Sequence, residues 1–150
     1  MRVVLQRVSE ASVTIEGGKV AEIQQGLLIL VGIEEADNDE DITWLTNKIT
    51  KLRIFGDENG VMNRSIQDID GDVIVVSQFT LHAATKKGNR PSYIKAAHPD
   101  IAIPLYEQFI SSIENIIDKK IQTGQFGADM KVALINDGPV TVLIDSKVKE

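Results

Sequence analysis

The sequence predicts an α+β fold: a largely antiparallel, barrel-like sheet with two main helices, in one domain spanning residues 1–150. Three observations predict it. Short apolar runs bounded by Gly, Asn and Asp recur through the first third of the chain and again near its end, the pattern of strands. Only two stretches repeat apolar residues at helical spacing. With 150 residues, 43% hydrophobic and 25% charged, the composition is that of one globular domain of ordinary size.

Arg2 to Val8 alternates in part, and Ala11 to Ile15 continues it. Gly17-Gly18 is a two-residue turn favouring positive φ, so Ser12 to Glu16 and Lys19 to Gln24 form a hairpin. Gly26 precedes a strongly apolar strand, Leu27 to Ile33. A helix follows, capped by Asn38 or Asp39. Glu40 and Asp41 sit at its positive end, and Ile42, Leu45, Ile49 and Leu52 form its stripe, with Trp44 at the edge. Arg53-Ile54-Phe55 reads as a short strand before the turn Gly56 to Gly60, and Asp70-Gly71 turns into a strand over Asp72 to Phe79.

The second helix runs from Pro99 or Asp100 to Lys120. Pro104 lies near its first turn, where a missing N–H costs little, and Lys119 and Lys120 suit its negative end. Its stripe is Leu105, Phe109, Ile113, Ile116 and Ile117. Two strands close the chain, Lys131 to Ile135 and Val140 to Ile144, with Asn136-Asp137-Gly138-Pro139 as the turn between them.

Composition excludes several functions. Without cysteine there is no disulfide, thiol nucleophile or Cys-ligated zinc. Only His82 and His98 are present, with no paired-histidine spacing, so no metal and no cofactor are expected. The longest apolar run, Leu27 to Ile33, is too short to cross a bilayer, and the N-terminus lacks a signal peptide, which predicts a cytoplasmic protein with no membrane partner.

The net charge of −6 argues against nucleic acid, but its distribution is uneven. Glu34 to Asp41 holds six acids in eight positions, whereas Val73 to Pro99 holds none and carries Lys86, Lys87, Arg90 and Lys95. That window is either a solvated loop or a local basic patch for a phosphate backbone.

Four motifs carry possible chemistry. Ser77-Gln78-Phe79-Thr80-Leu81 ends a buried strand. It is an ordinary strand end, or a place where backbone N–H groups meet an oxyanion. His82 is the one base near the Thr80 hydroxyl, on the same face if the chain stays extended. Gly138-Pro139 is a plain turn, or a rigid step whose carbonyls gate a site. Lys87-Gly88-Asn89-Arg90-Pro91 is a surface turn or a phosphate grip. Thr123 to Ala128 is a packed loop, or offers Phe126 for stacking a base.

Taken in order, Met1-Arg2 with Gln6-Arg7-Val8, Leu52 to Phe55, Met62-Asn63, Ser77 to Leu81, Lys87 to Ser92, Leu105 to Glu107, Thr123 to Ala128 and Asn136 to Thr141 resemble the D-aminoacyl-tRNA deacylases along nearly the whole chain. The resemblance implies a homodimer that hydrolyses the ester of a tRNA carrying a D-amino acid, or glycine mischarged on an alanine tRNA. It implies active sites at the subunit interface and a cis Gly138-Pro139 step reaching into the neighbouring protomer's pocket. There its carbonyls would strike an L side chain and spare a D one. Arg7 would brace that step; the backbone of Gln78, Phe79 and Thr80, after Ser77, would hold the ester carbonyl; Phe126 and Met130 would line the adenosine pocket. Lys86, Lys87 and Arg90 are the expected RNA contacts. The family pattern also implies attack assisted by the terminal ribose 2′-OH. Two positions depart from it: His82 stands where the family carries Tyr, and Asp129 where a small or apolar residue is usual.

Overall fold

A computed structural model describes residues 1–150. Its backbone is a mixed sheet curled towards a barrel and flanked by two helices. The order is β1 (Arg2–Ile15), β2 (Gly18–Ile23), β3 (Gly26–Gly32), α1 (Asp39–Lys51), β4 (Phe55–Gly56), β5 (Met62–Arg64), β6 (Asp72–Ser77), α2 (Pro99–Ile117), β7 (Gln122–Thr123) and β8 (Lys131–Asp145), with a 3-10 turn over Phe79–His82. No helix is long and apolar enough to cross a membrane.

β1 organises the sheet. Along one edge it pairs antiparallel with β3 through residues 2–8 and with β2 through residues 11–15; β8 runs antiparallel along the other edge. The hairpin forms one residue earlier than the Gly17-Gly18 turn implied. Ile15 pairs with Gly18, and the loop is Glu16-Gly17, both at positive φ (49° and 78°). β6 joins β3 in parallel, and β7 joins β6 in parallel. The Gln122 side chain then bridges to β2, accepting from Glu22 N–H and donating to Glu22 C=O, both at 2.7 Å, which brings the sheet's two ends together.

The parallel pairs explain the unbroken apolar runs of β3 and β6. Their alternate residues serve two cores. Val3, Leu5, Leu27, Ile29, Val73 and Val75 face the helices, where Ile42, Leu45, Phe109 and Ile113 meet them. Val8, Val13, Ala21, Leu28, Ile74 and Val76 fill the other side. Strands buried on both faces need no polar alternation.

Three expected elements take another form. The two final strands are one, β8. Its pairing with β1 breaks opposite Arg7, where residues 137–140 are extruded, and slips once more at Ser9, which has no partner on β8; β1 carries the ladder past both points. The strand expected to reach Phe79 stops at Ser77, because the chain folds into the 3-10 turn against Gly32. Arg53-Ile54-Phe55 contributes only Phe55 to a strand, which continues to Gly56 and pairs with β5.

α2 ends at Ile117, with Asp118 left-handed (φ 54°), so Lys119 lies beyond it and turns instead to Asp70 and Asp72 at 3.3 and 3.1 Å. Pro104 falls in the second turn rather than the first, on the exposed side.

Asn38 caps α1: its Oδ1 accepts from Glu40 N–H, and its own N–H donates to Asp41 Oδ2, both at 2.9 Å. Asp41 is buried. Burial works against its charge, but hydrogen bonds from Lys147 Nζ (2.8 Å), Ser146 Oγ (2.6 Å) and Asn38 N–H outweigh that and lower its pKa from 3.8 to about 2. A depressed carboxylate stabilises the fold above its unfolded pKa, and that stability disappears as pH falls through the folded value. Wild type is therefore expected to lose about 2 kcal/mol of unfolding free energy between pH 5 and 2 that Asp41→Asn does not lose. Urea titrations of both proteins across that range check it.

Candidate active site

Two hollows hold most of the residues singled out from the sequence. The first is a cleft of about 250 Å³ where β6 ends, with Ser77, Gln78 and Phe79 on one wall and Phe126, Ala128 and Met130 on the other. None of the side chains lining it is ionisable.

Its floor is set by close packing. A Cβ on Gly32 would lie 2.9 Å from Leu81 Cβ and 3.0 Å from Gln78 O, so only glycine lets the 3-10 turn seat on β3. The Gln78 N–H donates to Val31 C=O at 2.7 Å, which removes it from the donors expected to meet an ester carbonyl. The N–H groups of Phe79 and Thr80 have no protein partner. The Gln78 side-chain amide donates to Thr80 Oγ1, tying the turn together. Thr80 itself borders a neighbouring hollow against β8, with Arg2 and Leu143.

The far wall is held by α2. Tyr106 O–H donates to Val75 C=O at 3.0 Å, and burial pushes its pKa up to about 12, so it stays a donor. Its ring centroid lies 5.7 Å from that of Phe126, which is thereby fixed over the cleft. Gly124 leaves room for Met130, because a Cβ there would overlap the Met130 sulfur. Asp129 points away and pairs with Lys131 at 3.0 Å, so its departure from the family pattern falls on the surface.

His82 does not serve Thr80. In a 3-10 turn, residues two apart do not share a face. The imidazole is buried beneath the turn, 2% exposed, and neither ring nitrogen has a hydrogen-bond partner. Glu34 is its nearest acid, at 3.9 Å. A hydrolase using the Thr80 hydroxyl as nucleophile and His82 as base therefore lacks the required contact.

The second hollow, about 410 Å³, is lined by Arg7, Phe55, Met62 and the extruded Asp137 to Val140. The Gly138-Pro139 bond is cis. Arg7 Nε donates to Asp137 C=O at 2.9 Å and Arg7 Nη1 to Ile54 C=O at 2.7 Å, clamping the loop to the chain before β4. Asn136 closes its neck, accepting from Val140 N–H at 2.9 Å and donating to Thr141 Oγ1 at 2.8 Å. Gly138 (φ 133°) occupies backbone space closed to side chains, and a Cβ there would meet Arg7 Nη2 at 2.8 Å. Within one chain, then, Gly138 and Pro139 line a hollow distinct from the cleft of Ser77, Gln78 and Phe79. Lys86, Lys87 and Arg90 lie exposed on the loop after the 3-10 turn, with no ion-pair partner. No three His, Asp or Glu side chains converge as metal ligands.

A model of the family described as D-Tyr-tRNA(Tyr) deacylase matches residues 4–145. The chain belongs to that family. The D-Tyr-tRNA(Tyr) deacylase family is one of hydrolases, and its members are similar to this chain from end to end. A D-aminoacyl-tRNA deacylase of Flavobacterium johnsoniae is 73% identical over 150 residues, covering 100% of both chains, and one of Bacteroides fragilis (strain YCH46) is 65% identical with the same coverage. Among solved structures, one named c-Myc DNA Unwinding Element Binding Protein superposes with a TM-score of 0.91 at 36% identity, covering 97% of this chain and 98% of that one. A probable eukaryotic D-amino acid tRNA deacylase shares the fold with a TM-score of 0.82 at 15% identity, covering 95% and 97%.

Proposed function

We propose that this chain is a cytoplasmic D-aminoacyl-tRNA deacylase that releases D-amino acids, and glycine mischarged on alanine tRNA, as a homodimer without a cofactor. The observation that carries the mechanism is the separation of the two hollows. The cleft offers an ester-sized site with free N–H groups at Phe79 and Thr80. The Gly138-Pro139 loop is clamped in an exposed position on another part of the chain. A second copy brings them together: the loop of one protomer enters the cleft of its partner, and its carbonyls exclude an L side chain. β8 supports such pairing. Among the strands it pairs only with β1, so apart from a bridge between Asp145 and Val148 its other edge is open, and Leu143 (66%) and Ile135 (53%) stand exposed on it. An open apolar edge strand is a surface that proteins normally cover.

In the cleft, Phe126 and Met130 would hold the terminal adenosine, Ser77 and Gln78 would shape the floor, and Phe79 and Thr80 N–H groups would meet the developing oxyanion. Lys86, Lys87 and Arg90 would meet the tRNA backbone. Because no ionisable side chain lines the cleft, the attacking group is assisted by the substrate's own 2′-OH.

A second reading is a module that binds a nucleic-acid end without cleaving it; the name of the 36% identical solved structure favours it. Incubating the protein with D-tyrosyl-, L-tyrosyl- and glycyl-tRNA separates the two. Release of D-tyrosine and glycine with L-tyrosine retained is the expected result. Binding of all three with no amino acid released supports the second reading.

A further inference from the structure

The rim of the cleft carries an aromatic pair with no structural employment. Phe79 and Tyr93 meet edge to face, with centroids 5.1 Å apart and planes at 79°, yet they are 56% and 38% exposed. Such pairs normally gain from burial. Beside them Ile94 is 89% exposed. Phe79 also lines the cleft, so the pair extends its wall outward.

The backbone under Tyr93 is fixed. Ala84 and Ser92 exchange N–H···O bonds at 2.8 and 2.9 Å, Ala96 N–H donates to Tyr93 C=O at 3.0 Å, and Ala97 N–H donates to Ile33 C=O at 2.9 Å. The exposed aromatic face is therefore held, not waving on a loose loop.

Charge and size identify what it would meet. Residues 73–99 contain no acid on a chain whose net charge is −6, and Lys86, Lys87, Arg90 and Lys95 within them make no ion pair. That gathers unpaired cations into one stretch of an acidic chain, an attraction for phosphate bounded on one side by Glu34, which pairs with Ala96. The cleft's 250 Å³ is below the roughly 300–1,000 Å³ of common small-ligand pockets, room for one nucleoside. The next nucleotide must leave across the rim. Exposed aromatic faces flanked by cations are how proteins hold unpaired bases, whatever their identity.

We propose that Phe79 and Tyr93 form a stacking platform for the unpaired nucleotide that precedes the terminal adenosine. The assignment rests on the deacylase reading of the cleft, and the experiment tells their failures apart. Binding of the RNA tetranucleotide ACCA is compared with that of the same RNA made abasic at the residue before the last, using wild type, Tyr93→Ala and Tyr93→Phe. In wild type, loss of that base is expected to weaken binding at least about fivefold, while exchanging it for uracil changes little. Tyr93→Ala is expected to bind both RNAs alike, and Tyr93→Phe to behave as wild type. D-Tyrosyl-adenosine should be cleaved equally by all three proteins.

Equal binding of intact and abasic RNA by wild type overturns the platform. So does a Tyr93→Ala protein that still senses the missing base. A change in sedimentation of Tyr93→Ala with unaltered RNA binding overturns it too, by assigning the pair to a contact between copies of the chain. If the base effect is seen but no aminoacyl ester is cleaved, the platform stands and the deacylase reading fails.

Discussion

Replacing Gly138 by alanine is expected to lower kcat/KM for D-tyrosyl-tRNA by at least about a hundredfold, since an ångström of misplacement in a positioning group costs about that much. The backbone there has φ 133°, a region closed to L side chains, and the new methyl would lie 2.8 Å from Arg7 Nη2 and 2.9 Å from Val140 Cγ2. Relief requires the loop or the Arg7 clamp to move, and either displaces the carbonyls that sit beside the substrate in the proposed dimer. The loop is exposed and outside both cores, so the melting temperature should stay close to wild type. Gly17→Ala is the control. It also stands at positive φ (78°), but nothing lies within 4 Å of its added Cβ, and its activity should be unchanged. A Gly138→Ala protein with wild-type rates on D-tyrosyl-tRNA contradicts the role given to this step.

Removing the terminal 2′-OH of the tRNA is expected to slow cleavage by about a hundredfold or more, the scale of one lost acid–base contribution. The chain offers nothing to replace it. The cleft has no ionisable side chain, Thr80 Oγ1 already accepts from Gln78, and the imidazole of His82 is buried without a hydrogen-bond partner. Thr80→Ala, by the same reasoning, should retain activity within about tenfold, because Thr80 offers its N–H rather than its hydroxyl. Single-turnover cleavage of 2′-deoxy and ordinary substrates decides the point, and equal rates would refute substrate-assisted attack.

Much of this was legible from residue pattern. The helices announced themselves through Asn38, Ile42, Leu45 and Ile49, and through Phe109 and Ile113. The ordered motifs led to the family, which the family model matches over residues 4–145. Phe126 and Met130 do lie opposite Ser77 to Phe79. What pattern missed depended on distant partners. Nothing in Asn136 to Pro139 distinguishes a turn joining two strands from a loop extruded out of one; β1 running past on the other side decides that. The 3-10 turn at Phe79–His82 depends on Gly32, forty-odd residues earlier, whose place at the end of an apolar strand was the available sign of a close approach. The capture of Gln78 N–H by Val31 and the burial of His82 follow from that packing, and local spacing does not encode them.

In the proposed dimer the Gly138-Pro139 loop of one protomer acts in the cleft of the other. Co-expression of two impaired variants tests it: Gly138→Ala, with its cleft intact, and Ala128→Trp, whose cleft is filled but whose loop is normal. If each cleft uses its partner's loop, random pairing leaves about one site in four complete, and D-tyrosyl-tRNA cleavage should return to about a quarter of wild type. Recovery no greater than the sum of the two variants measured separately would mean that loop and cleft do not meet across protomers.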